Sequence, residues 1–152
     1  TNGVYIKGPG SNFFQVDVTP AATRLASHYD QVVFFNTQTS TFNSIQVKNV
    51  YNYSDAKAKE NIQSLSQSLS ILKLLRPVSY NFTDNSDNTK FRKGGDGKEI
   101  GLLAQEVEQV LPNIVLTDPD GNKLINYTSL IAVLIDAVKD LNEKVSALEA
   151  QQ

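Results

Sequence analysis

Residues 131–148 read IAVLIDAVKDLNEKVSAL and have the most regular pattern in the chain. Apolar residues recur there at alternating steps of three and four, which is the heptad spacing of a coiled coil. The six residues of this seam are Ile131, Leu134, Val138, Leu141, Val145 and Leu148. These 18 residues would form a helix about 27 Å long, which is marginal by itself in water. We therefore predict a helix over about residues 127–150 whose seam contacts other helices.

The seam also bears on the kind of association. Its a positions hold Ile131, Val138 and Val145 and its d positions hold leucine, a combination that favours two strands in an isolated parallel coiled coil. Only a wider assembly would change the number of helices in the coiled coil. Lys144 and Glu149 are placed for a contact between neighbouring helices. A helix that packs only on its own domain would use a wider apolar stripe of period 3.6, so the pattern favours self-association.

The segment before this helix predicts short strands and helices. Proline at the second position and glycine at the fourth position of residues 118–121 suit a type I turn, which would join residues 114–117 and 123–126 in a hairpin. Residues 83–98 are polar and without period, so they predict a long exposed loop. The other predicted elements are a strand at 78–82 and a helix at 104–111, and residues 99–103 form an apolar segment between the loop and that helix.

A longer helix is predicted between Ser54 and Pro77. Ser54-Asp55 is typical of a helix start, with acidic charge near the positive end of the helix dipole, and Pro77 would end the helix. The residues of its apolar face recur at three- and four-residue steps and are Ile62, Leu65, Leu69 and Leu72. Together with the hairpin and the C-terminal helix, this makes residues 54–152 a mainly helical domain.

Residues 1–53 have a different composition. They carry 3 Lys+Arg and 2 Asp+Glu, against 11 and 14 in residues 54–152, and 20 of them are Ser, Thr, Asn or Gln. Short β-prone runs are separated by Gly8-Pro9-Gly10 and Pro20, and they lie at residues 4–6, 13–18, 31–35 and 45–50. Because so few residues cannot form a large hydrophobic core, we expect them to bury their apolar face against copies of themselves. The predicted fold is α+β, with the end of a β-stalk at residues 1–53; an ordinary small β-domain is the alternative.

Composition excludes several kinds of function. A net charge of -2 and a pI near 5.3 give no basic face for nucleic acid or anionic lipid, and no apolar run approaches the length of a membrane span. We therefore predict no nucleic-acid and no membrane partner. The chain has no Cys and one histidine, His28, which excludes thiolate clusters and multi-histidine zinc sites, so no metal and no cofactor are predicted. Since it also has no Met, even at position 1, we expect a piece of a longer protein.

Ser54 and Lys59 are the residues that could carry out chemistry. A serine and a neutral lysine are the minimum for nucleophilic catalysis without histidine, because the amine can take the serine proton. The neutral amine requires desolvation or a nearby cation such as Lys57. Residues five apart on a continuous helix point about 140° apart, so Ser54 must lie outside the helix or meet a lysine of another chain. The alternative is that Ser54 only caps a helix and the lysines are solvated.

Three segments carry a family resemblance. They are SDAKAKENI from Ser54, LLRPVSYNF from Leu74, and EIGLLAQEVEQVLPNIVLTDPDGNKLINYTSLIAVLIDAVKDLNEKV from Glu99. Together they resemble the intramolecular chaperone auto-processing domain, the self-cleaving serine peptidase domain of phage tail spikes, endosialidase-type fibres, some bacterial surface proteins and the myelin regulatory factor. The similarity covers residues 54 to about 148. The resemblance therefore places the parent protein in a phage tail fibre or on a bacterial surface.

The resemblance implies a homotrimer that registers an upstream β-fibre of the same chain and then cuts itself free. The expected cleavage is of the Tyr53–Ser54 bond, with Ser54 as nucleophile and Lys59 as base. Asp55 would belong to the cleavage motif. Lys57 stands where the family usually has arginine, and lysine cannot reproduce the bidentate contacts of a guanidinium group.

Two other functions remain open. The first is a trimeric structural cap of a fibre or adhesin that does not cleave itself. The second is carbohydrate or receptor binding by exposed aromatic residues of the stalk, which would be Phe13, Phe14, Tyr29, Phe34 and Phe35. Aromatic residues at strand spacing are more often buried between chains.

Overall fold

The structure is a computed structural model that describes residues 2–28, 31–38, 40–83 and 98–151. It divides into two compact units, an upstream unit that ends at Tyr51 and a downstream unit that begins at Asn52. Among the described residues, the regular elements of the upstream unit are strands, and the downstream unit contains helices and two antiparallel pairs of strands. The α+β class is therefore confirmed.

The upstream unit contains one three-stranded sheet. Its strands are β1 (Asn2–Lys7), β2 (Phe13–Val18) and β3 (Thr23–Ser27), which pair antiparallel in that order. Gly10 has a φ of 65° in the turn between β1 and β2, a conformation that glycine adopts without strain. A two-stranded ladder follows, formed by β4 (Phe35–Asn36) and β5 (Thr41–Phe42).

The register of the three-stranded sheet places several apolar residues on one face. Val4 lies opposite Val16, which lies opposite Leu25, and Ile6 lies opposite Phe14 on the same face. None of the side chains described in this unit is buried. The apolar face is thus uncovered by its own unit, which is consistent with the expected burial against other copies; that burial stays a prediction.

Two of the predicted strands are largely wrong. Of residues 31–35 only Phe35 is in a strand, and residues 45–50 form none, although Ile45 and Val47 alternate with polar residues and are exposed. A strand forms only where a second strand supplies hydrogen-bond partners. Strand β3 was not predicted, because Leu25 is its one large apolar residue.

Two pairs of Tyr and Phe rings in the upstream unit are in contact. Phe13 stacks on Tyr5 with ring centroids 5.6 Å apart, and Phe35 meets Phe42 edge-on at 5.7 Å. Tyr29 lies outside the described residues. Receptor binding by these rings stays a prediction.

The downstream unit begins with irregular backbone. After a 3-10 turn at Ala56–Ala58, the first helix is α1 (Ser68–Leu72). The helix predicted between Ser54 and Pro77 is therefore wrong over most of its length. Asn61 and Gln67 have φ values of 53° and 62°, and this left-handed conformation interrupts a right-handed helix.

Two antiparallel pairs of strands and a short helix follow. Strand β6 (Val78–Tyr80) pairs with β7 (Glu99–Gly101), and β8 (Val115–Thr117) pairs with β9 (Lys123–Ile125). The strand predicted at residues 78–82 and the hairpin predicted around residues 118–121 are therefore confirmed, whereas β7 was not predicted as a strand. Between the two pairs lies α2 (Ala104–Glu108), shorter than predicted, and then a 3-10 turn at Pro112–Ile114. Most of the loop predicted at residues 83–98 lies outside the described residues.

The predicted turn at residues 118–121 is also confirmed. Gly121 N–H donates to the Asp118 carbonyl oxygen at 3.0 Å. The Asp118 carboxylate accepts from the Asn122 side chain and from the backbone N–H groups of Asp120 and Asn122. The bond from the Asn122 side chain, supported by these backbone N–H groups, lowers the pKa of Asp118 below its ordinary value. The charged form of Asp118 thus closes the hairpin.

A 20-residue helix ends the described chain. It is α3 (Leu130–Glu149), preceded by a 3-10 turn at Tyr127–Ser129, and it confirms the helix predicted over residues 127–150. Leu130, Val133 and Ala137 are buried on one face of α3, which packs on α1. The six seam residues lie on a neighbouring face and are 45–64% exposed. The seam is thus available to a further partner, while the helix is already packed on its own unit.

Candidate active site

The site is built on a single tight turn. The Asp55 side chain accepts a hydrogen bond from the Lys57 backbone N–H at 2.9 Å and caps the 3-10 turn at Ala56–Ala58. Ala58 N–H donates to the Asp55 carbonyl and Lys59 N–H to the Ala56 carbonyl, both at 3.1 Å. Lys59 then returns to extended backbone, with φ −122° and ψ 142°. The 3-10 helix therefore ends after a single turn.

This turn brings Ser54 and Lys59 together. Lys59 Nζ lies 2.6 Å from Ser54 Oγ and donates a hydrogen bond to it. The angular separation of a continuous helix does not apply, because the helical backbone ends at Ala58. Asp55, not Ser54, caps the turn, so the interpretation of Ser54 as a plain helix cap is wrong. Its hydroxyl is instead paired with the amine five residues later in the same chain.

The whole site is open to solvent. Residues 52–67 are exposed, and the Tyr53 side chain, which precedes Ser54, is 83% exposed. Of the predicted site residues, the structure brings the side chains of Ser54 and Lys59 together, whereas the Asp55 carboxylate accepts from the Lys57 backbone N–H. Water therefore surrounds the Ser54–Lys59 pair in the single chain.

A separate cavity in the downstream unit was not predicted. It has a volume of about 320 Å³, and its lining comes from three segments of the chain: Tyr80, Phe82, Leu102, Leu103, Ala104, Gln105, Lys123, Ile125 and Tyr127. Burial, with smaller contributions from Tyr127 and Glu99, raises the pKa of Tyr80. The one sequence signal for this part of the cavity lining was the alternation of Val78, Tyr80 and Phe82. The rings of Tyr80 and Phe82 meet edge-on at 5.3 Å.

The described residues also bear on metals and membranes. Within these ranges, no group of three or more His, Asp or Glu side chains is placed to hold a metal ion. Among the described helices, none combines the length with the apolar character that crossing a membrane requires.

Comparison with known proteins identifies the downstream unit. Residues 54–116 match the model of a peptidase family described as the chaperone of endosialidase, and the match begins at Ser54. The chain carries an intramolecular chaperone domain of this family. The resemblance found from the sequence segments is thereby confirmed, and it identifies a peptidase-related domain.

Similar proteins come from bacteriophages. The chain is 32% identical over 124 residues to the long tail fiber protein Gp37 of Enterobacteria phage K3 and equally to that of Enterobacteria phage T2, with 78% of the chain covered. The protein of the same name from Escherichia phage AR1 is 31% identical over 108 residues, which is 68% of the chain. The chain spans about 9% of the length of each of these relatives. It thus resembles one short segment of a long fibre protein.

Proposed function

We propose that the downstream unit is a tail-fibre chaperone that cleaves the Tyr53–Ser54 bond. The observation that carries the proposal is the 2.6 Å contact between Lys59 Nζ and Ser54 Oγ, a distance suited to proton transfer. The family match and the similarity to long tail fiber proteins support the chaperone role. The folding client is the β-structure upstream in the same chain.

The cleavage occurs in two steps. Ser54 Oγ attacks the Tyr53 carbonyl carbon while the neutral Lys59 amine accepts the hydroxyl proton. The Tyr53–Ser54 amide bond then breaks, and the leaving Ser54 nitrogen takes that proton and becomes a free amine. Water hydrolyses the resulting ester, which leaves a carboxylate on Tyr53 and restores the Ser54 hydroxyl group.

Assembly into a homotrimer would complete the site. Lysine accepts a proton only as the neutral amine, and exclusion of water favours that form. Residues 52–67 are exposed in the single chain, so we infer that neighbouring chains cover them. The exposed seam of α3 supplies the apolar surface for this association. Cleavage is then delayed until three chains are in register, and cutting afterward keeps the folded fibre from unfolding together with its chaperone.

The test is the intact mass of the purified chain over time. We expect the parent to break between Tyr53 and Ser54, and neither Ser54→Ala nor Lys59→Ala to do so. Ser64→Ala and Lys73→Ala, an exposed serine and an exposed lysine of the same unit, are the matched controls and should cleave like the parent. A mixture of Ser54→Ala and Lys59→Ala chains should stay uncut, because the structure pairs the two residues within one chain.

Three results would change the proposal. A parent that stays uncut as a confirmed trimer favours the non-cleaving structural cap, which the solvent-exposed site makes the second candidate. Cleavage in the mixture of the two variants would assign the lysine to a neighbouring chain. A rate that does not fall when the chain is diluted would remove the need for assembly.

A further inference from the structure

The Asp55 carboxylate makes one contact in the structure, and that contact is within the turn. Its Oδ1 atom accepts from the Lys57 backbone N–H at 2.9 Å, while its backbone stays extended at φ −67° and ψ 132°. Asp55 is exposed, as are all residues of the turn. A carboxylate directly beside the nucleophile therefore serves the backbone rather than the Ser54 hydroxyl or the Lys59 amine.

The cap decides where the Lys59 side chain goes. Three exposed residues, Ala56–Ala58, form the turn without any buried side chain, so only local hydrogen bonds hold it. Loss of the Asp55 cap leaves the Lys57 N–H without its partner and the turn with two backbone bonds. Short isolated helical turns are unfavourable because their nucleation fixes several residues for few bonds. The position of Lys59 Nζ relative to Ser54 Oγ thus depends on this cap.

We propose that Asp55 is a positioning residue that acts through its cap and not through its charge, an inference that rests on the proposed cleavage. The requirement is an oxygen acceptor on a short side chain at residue 55. Asparagine supplies the same acceptor atom without the charge and caps helices about as well as aspartate. Glutamate keeps the charge but places its carboxylate one methylene farther from the backbone. Alanine removes both acceptor and charge.

Cleavage rates of three variants separate the cap from the charge. We expect Asp55→Asn to cleave within about twofold of the parent, and Asp55→Ala and Asp55→Glu to cleave about tenfold more slowly, which is the effect of a typical lost cap. All variants should keep the parent's unfolding midpoint, because the exposed turn adds little to the packed unit. The dependence of the rate on pH should be the same in Asp55→Asn as in the parent.

Two outcomes of these kinetics would overturn the inference. An Asp55→Asn variant as slow as Asp55→Ala would show that the charge is required. An Asp55→Ala variant as fast as the parent would show that the cap is dispensable.

A second measurement tests the inference without cleavage. In chains labelled selectively at serine and lysine, nuclear Overhauser contacts between the Lys59 ε-methylene and Ser54 β-methylene protons report the pairing directly. We expect the contact in the parent and in Asp55→Asn and its loss in Asp55→Ala. If the parent never cleaves, the proposed activity fails while this comparison still decides the role of Asp55. A contact that persists in Asp55→Ala overturns that role.

Discussion

The two apolar faces of α3 have the same kind of side chains and opposite surroundings. Leu130, Val133 and Ala137 are buried, and this face packs on α1. The seam residues on the neighbouring face are equally apolar but about half exposed or more. One helix therefore packs on its own unit through one face and leaves a second apolar surface uncovered.

The comparison teaches how one domain can fold before it assembles. The small core of the downstream unit, with Val107, Leu130 and Ala137, forms within one chain. No described side chain of the upstream unit is buried, so its apolar sheet face has no equivalent support. A chaperone that folds alone and then associates could register upstream segments that cannot fold alone, since bringing chains together removes much of the cost of non-local pairing.

The largest expected effect comes from a charge placed on the buried face of α3. Ala137 is 2% exposed, so Ala137→Asp places an unpaired charge between α3 and α1. We expect the free energy of unfolding, measured by urea titration, to fall by roughly 3–5 kcal/mol. Ala132→Asp is the matched control, because Ala132 is exposed on the same helix and loses the same helix propensity. Equal losses in the two variants would contradict the buried role of this face.

The next largest effect comes from a charge in the seam, which should weaken self-association without unfolding the chain. Val138 is adjacent to Ala137 in sequence but 63% exposed. Val138→Asp should leave the far-ultraviolet circular dichroism spectrum unchanged and weaken self-association at least a hundredfold, about 2.7 kcal/mol, in sedimentation equilibrium. Ala132→Asp, which adds the same charge off the seam, should associate like the parent. If Val138→Asp associates normally, the seam is not the interface.

The sequence predicted the elements that are specified by residues close together in the chain. The heptad spacing of residues 131–148 and the turn chemistry of residues 118–121 each specify one structure from neighbouring residues, and both elements are present. The Ser54–Lys59 pair came from chemistry and family resemblance, and the structure shows their contact.

Long-range packing explains what the sequence did not predict. Ile62 and Leu65 have helical spacing, yet they are 71% and 50% exposed on irregular backbone, because apolar periodicity does not reveal what covers a face. The 320 Å³ cavity combines residues from Tyr80 to Tyr127, which only the tertiary fold brings together. The capping role of Asp55 was missed because Ser54 and Asp55 are both good cap residues.

A third, smaller effect concerns the contact between β7 and the 3-10 turn that precedes α3. A Cβ atom on Gly101 would lie 2.7 Å from the Tyr127 hydroxyl oxygen, which accepts a hydrogen bond from Leu102 N–H at 2.9 Å. Gly101→Ala should therefore lower the free energy of unfolding by about 1–3 kcal/mol, since it displaces this bond or strains the backbone. In a Tyr127→Phe background the same substitution should cost less. Additive losses in the double variant would show that the two residues do not interact.

The smallest expected effect tests whether the helices that meet at the seam are parallel. Lys144 and Glu149 occupy g and e positions, five residues apart, so they do not face each other within one helix but meet between parallel neighbours. Lys144→Glu should weaken association by about 0.5 kcal/mol per contact at low salt, and the added Glu149→Lys exchange should restore it. The loss should shrink at 1 M salt, where exposed charges are screened. Since antiparallel helices pair g with g and e with e, an exchange that fails to restore association would argue against parallel chains, and with them against a seam that registers one upstream fibre.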